Sequence, residues 1–206
     1  MAKLTGPLLS FGAQGSLAKS VTFTKSRTAN IAKAHSVPTN PNSTGQAAQR
    51  SKISQASSAI QALRSAAYQP LIAADVDAWD RLSKALPRPV TWYNSLVSMY
   101  VNVLVSGGNP AVFTSWGGTY VGPNISAQLR CSLVGTAELD AATWFYGLSP
   151  HSLIASIASS FNVPTNLCNR QLVPLASSAW HFIQLRPDSG QTSFGSYSGI
   201  YAVWVP

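Results

Sequence analysis

The chain has 206 residues with 46% hydrophobic content, enough to build a core in one large domain or two small ones. Only 10% of its residues are charged, against roughly 25% in a typical domain, and a weakly charged polar surface suits packing against neighbouring copies better than a free monomer. The net charge of +8 sits in the N-terminal third, because residues 1–70 carry eight Lys or Arg and no acid while the rest is balanced.

Gly6, Gly12 and Gly15 punctuate residues 1–18, which reads as an extended arm or loop. No secretory signal is expected, since this start lacks the required apolar run. No stretch is long and apolar enough for a membrane span. From Ser20 the residues alternate: Val21 and Phe23 face one way, Thr22 and Thr24 the other. After a turn at Lys25–Thr28, a second alternating run covers Ala29–Ala34. This predicts a β-hairpin, and two strands alone are marginal in water, so the hairpin needs something to lie on.

Pro38-Thr39-Asn40-Pro41-Asn42 stays extended. Ser43 or Thr44 then caps a helix over about 45–67, with Ala48, Ile53, Ala56, Ala59, Ile60, Leu63 and Ala67 as its apolar stripe. Pro70 ends it. Asp75 is read as the N-cap of a second helix that buries Val76, Trp79 and Leu82 and stops at Leu86-Pro87. Thr91 caps a third segment over 92–106, closed by Gly107-Gly108. Its valines favour strand, but its length favours helix.

After Gly108 come short alternating runs at 112–116, 119–121, 127–134, 143–146, 171–175, 180–185 and 200–205, with Gly, Pro, Asn and Ser between them. Residues 153–161 fit a short helix or a strand. The fold class is therefore α+β: an arm and β-hairpin over 1–42, a helical region over 43–108, and an antiparallel β-sandwich over 109–206, immunoglobulin-like or jelly-roll-like.

Chemistry is sparse. Asp75, Asp77 and Asp80 are explained by a helix N-terminus, and Glu138 and Asp140 by a turn. His35, His151 and His181 have no sequence neighbour that suggests a triad or a metal. Gly195-Ser196-Tyr197-Ser198-Gly199 has Tyr where a nucleophile elbow needs Ser. No phosphate-loop or dinucleotide fingerprint appears. Cys131 and Cys168 form no metal-binding spacing and read as two buried thiols. No enzyme activity, cofactor or metal is expected. The candidate contact residues for an assembly or an anionic partner are Lys19, Lys25, Arg27 and Lys33 on the hairpin, with Gln46 and Arg50 one helical turn apart.

One pattern is familiar: Phe11-Gly12, Gly15-Ser16-Leu17, the alternating hairpin, Pro38, Asn40-Pro41, Thr44, Gln46 and Arg50. It resembles an uncharacterised family of bacterial and phage genomes in which a Gly-rich hairpin leads through such a segment into helices and often an immunoglobulin-like domain. The usual Trp or aromatic of the hairpin is replaced by Phe23 or Thr24 here. The resemblance implies a virion structural protein whose partners are other copies of itself and other virion proteins. The alternatives are a basic protein that binds nucleic-acid phosphate, and an extracellular filament or surface subunit with a ligand-binding β-domain.

Overall fold

A computed structural model describes residues 3–4, 13–17, 21–25, 30–34, 43–67, 69–133, 141–162 and 166–206. The chain divides into two compact units, Met1–Thr44 and Gly45–Pro206.

In the first unit β1 (Lys3–Leu4), β2 (Ala13–Leu17), β3 (Val21–Lys25) and β4 (Asn30–Ala34) form one antiparallel sheet in chain order. The expected hairpin is its β3–β4 half, with Thr22 opposite Lys33 and Thr24 opposite Ile31. Within the arm or loop expected over 1–18, residues 3–4 and 13–17 are paired strand: Gly15 pairs with Phe23, Ser16 with Thr22 and Lys3 with Gln14. A glycine-interrupted segment has too few side chains to announce a strand, and its pairing is supplied by the backbone of β3. The turn after Lys25 and the Pro38–Asn42 link lie outside the described residues.

The second unit begins with α1 (Thr44–Arg64), α2 (Ala73–Ala85) and α3 (Trp92–Val105). The first helix ends three residues before the expected Ala67. Its stripe is only partly used. Ala56 and Ile60 are fully buried, Ala59 and Leu63 half-buried, and Ala48, Ile53 and Ala67 exposed. The third helix is the one its length indicates, and the Thr91 hydroxyl accepts from the Asn94 amide at 3.3 Å as its N-cap. Around these helices Ile60, Trp79, Leu96, Met99, Tyr100 and Val103 form one apolar cluster, which Val112 enters from the first strand of the β region.

That strand, β5 (Ala111–Thr114), lies at one end of a sheet with β7 (Asn124–Leu133), β10 (Ser160–Asn162) and β11 (Leu167–Leu172), ordered β10-β11-β7-β5, and β6 (Thr119–Val121) also pairs with β7. A second sheet is ordered β13-β12-β8-β9, built from β8 (Ala142–Gly147), β9 (Ala155–Ala158), β12 (Ala179–Pro187) and β13 (Tyr201–Val205). Both are antiparallel. The fold is thus α+β. Inward residues of both sheets share one core: Phe113, Ile125 and Leu129 from the first, Trp144, Ile183 and Tyr201 from the second. The ambiguous residues 153–161 form β9 and most of β10 (Ser160–Asn162).

One strand is shifted from expectation. The run expected at 171–175 is β11 (Leu167–Leu172). Cys168 and Leu172 point into the core, while Val173 is exposed and Pro174 has no N–H to continue the ladder. All four residues of β5 are buried. Phe113 packs into the core between the sheets and Val112 into the helical cluster. A strand covered on both faces reads as a continuous apolar run. It also places the helices and both sheets in one unit, where the sequence suggested a boundary after Gly108.

Candidate functional site

The candidate contact residues separate between the two units. Lys33 is exposed on β4, and so are its neighbours Ala32 and Ala34. Successive strand residues point to opposite faces, so both faces of the sheet are open at β4. Lys25 ends β3, opposite Asn30. Lys19 and Arg27 lie outside the described residues. Gln46 and Arg50 are exposed in the first turns of α1, in the other unit.

The residues weighed for catalysis are held in structural bonds. Asp75 is fully buried, and its role as N-cap is corrected. The N-cap is Ile72, and Asp75 stands three positions on, reaching back to the Ile72 amide at 3.0 Å. A carboxylate at this position also faces the sheets. It accepts from the amides of Ser115 at 2.8 Å and Trp116 at 3.2 Å, and from the Tyr201 hydroxyl at 2.9 Å. Burial pushes the Asp75 carboxyl up, against the pull of these four hydrogen bonds. His181 is buried, and its Nε2 accepts from the amides of Leu175 and Ala176. The proton is therefore on Nδ1, 3.3 Å from the Ala179 carbonyl. His151 is exposed on a turn. Among the described residues no group of three His, Cys, Asp or Glu could hold a metal. No helix among them is long and apolar enough to cross a membrane. Glu138 and Asp140 lie outside the described residues.

Sequence reasoning missed a cleft of about 640 Å³ between the end of α2, strands β8 and β12, and the loop before β13. Leu82 and Phe145 supply apolar wall, and Phe194 stands 57% exposed at the cleft. Arg186 lies with its guanidinium carbon 4.8 Å from the centre of the Phe145 ring. Its Nε and Nη2 both donate to Gln184 Oε1, at 2.9 and 2.6 Å, and Gln184 Nε2 donates to the Ser198 carbonyl at 2.9 Å. Gln184, Phe145 and Arg186 are brought together by the register, which sets Gln184 opposite Phe145. Asp188 Oδ1 accepts from the Thr143 hydroxyl at 2.7 Å. The loop is a chain of tight turns: Gln191 bonds back to Asp188, Phe194 to Gln191 and Ser196 to Ser193. Gly190 and Gly195 take φ of +100° and +92°, a backbone that glycine adopts without strain. The rejected nucleophile elbow is part of this loop. Ser196 and Ser198 are buried and accept from the amides of Ala111 and Leu185.

Elsewhere on the second sheet Trp180 and Trp204 face each other across β12 and β13, with ring centres 5.6 Å apart and about half of each side chain exposed. No protein-family model matches the chain, and no curated protein matches it.

Proposed function

We propose that this protein is a structural subunit of a bacteriophage virion that assembles through its N-terminal unit and the start of α1. The observation that carries the reading is the exposure of Ala32, Lys33 and Ala34 on both faces of β4. An edge strand open on both faces offers little apolar burial to offset its ordering entropy, so its stability calls for a covering surface. The absence of any acid before Asp75 selects that surface. A basic sheet repels its own copy face to face and attracts a carboxylate-bearing face of a neighbouring subunit. Two antiparallel sheets around one core fit a β-sandwich of the immunoglobulin-like or jelly-roll-like kind, a shape suited to the outside of a particle.

Light-scattering mass after size-exclusion chromatography tests this, at low and high salt, on the full chain and on a chain lacking residues 1–42. A defined oligomer of the full chain in both salts, with a monomeric truncation, supports assembly through the N-terminal unit. A monomeric full chain throughout removes self-assembly. The acid-free third then favours the second reading, a protein that binds nucleic-acid phosphate, whose affinity falls steeply with salt through counterion release.

A further inference from the structure

We propose that the cleft around Arg186 and Phe194 binds a neutral saccharide, independently of how the subunit assembles. The guanidinium is held before any ligand arrives: Phe145 lies under it and Gln184 Oε1 accepts from two of its donors. Among the described residues Arg186 Nη1 has no hydrogen-bond partner, and neither does Asp188 Oδ2. The cleft therefore offers an oriented donor and a separate acceptor, both on the lining that Phe194 and Tyr197 share.

Charge selects the ligand class. Arg186 and Asp188 cancel, so a simple anion that gains at one loses at the other. A wholly apolar ligand would strip water from both charges with nothing in return. A sugar ring meets each requirement. Its hydroxyls accept from the guanidinium and donate to the carboxylate, and its C–H face lies on an aromatic ring. The volume of about 640 Å³ is in the range of small-ligand sites and leaves room for a short oligosaccharide. The wall is preorganised by the turns from Asp188 to Ser196, which lowers the ordering cost of binding.

Ligand-observed NMR on the full chain tests the site with lactose, maltose, cellobiose and diacetylchitobiose, and with glucuronic acid and phenol as charged and apolar controls. At least one neutral disaccharide is expected to bind in preference to both controls. Phe194→Ala and Asp188→Asn should each weaken it about tenfold. Phe194 is exposed, so its variant should keep the wild-type melting temperature, and Asp188→Asn retains an oxygen for Thr143. Trp180→Ala, outside the cleft, should bind as wild type. Failure of all four disaccharides overturns the proposal, as does preference for glucuronic acid or phenol. Binding lost in Trp180→Ala but kept in Phe194→Ala also overturns it, by moving the site to the exposed tryptophan pair.

Discussion

The Tyr201 hydroxyl donates to Asp75 Oδ1 at 2.9 Å, joining the first turn of α2 to the last strand. The same ring stacks on Trp116, with centres 4.2 Å apart and planes 13° from parallel. Asp75 thereby ties the helices to both sheets through one buried carboxylate. Asp75→Ala leaves buried donors unsatisfied and should cost more than about 3 kcal/mol. Tyr201→Phe removes one donor and keeps the stack, and should cost about 1–2 kcal/mol. Urea unfolding of both variants checks the order.

The carboxyl of Asp75 also sets a pH dependence. Burial raises it in the folded state, so the folded chain holds this proton more tightly than the unfolded chain. Its contribution to stability is full below the ordinary aspartate range and is lost as pH rises through the elevated folded value. Tyr201→Phe removes a bond that lowers the carboxyl, so the loss should extend to higher pH than in the wild type. Melting temperature followed across acid pH, in wild type and variant, reads that displacement.

At Gly199 the loop before β13 comes close against the backbone of α2. A Cβ there would stand 2.6 Å from the Ala78 carbonyl carbon and 2.7 Å from the Trp79 nitrogen, both backbone atoms. The next residue, Ile200, donates its amide to the Ala78 carbonyl at 3.0 Å. Gly199→Ala must push helix and strand apart and should cost about 1–3 kcal/mol. Gly190→Ala meets no neighbouring atom and is strained only by its φ of +100°, so it should cost less. Chemical unfolding of the two variants makes the comparison.

Cys131 and Cys168 are free and buried in adjacent strands of one core. Burial pushes both thiols up, Cys168 to about 12, so the thiolate is scarce at any working pH. Thiol reagents at mildly alkaline pH should leave the native chain unmodified and modify both cysteines once it is unfolded in guanidinium. Rapid labelling of the native chain would contradict the buried placement.

Trp79 is fully buried and packs against Tyr197, with ring centres 5.6 Å apart. It belongs to the helical cluster, and Tyr197 lines the cleft. Trp79→Ala should cost about 3–5 kcal/mol. It should also loosen the cleft wall, visible as chemical-shift changes at Phe194 and Ser196.

Much of the fold was legible locally. The β3–β4 hairpin followed from alternation, α3 from the length of its apolar run and the Thr91 cap, and β12 and β13 from period-two patterning. Those signals depend on neighbours within a few positions, where backbone geometry is set by the adjacent side chains. Other elements depended on distant partners. The strands before Val21 exist through pairing, and β11 lies where Cys168 and Leu172 meet a core supplied by other strands. The N-terminal charge was plain in composition, and so was the lack of a catalytic motif. Asp75 is different: the sequence placed it near a helix start, but three of its four bonds depend on Ser115, Trp116 and Tyr201 arriving from other elements. The cleft is the clearest case. Leu82, Phe145, Arg186 and Phe194 carry no common spacing, and only the tertiary fold brings α2, β8, β12 and the loop before β13 to one cleft. Local propensity follows from covalent neighbours, whereas a binding surface follows from which distant segments exclude water together.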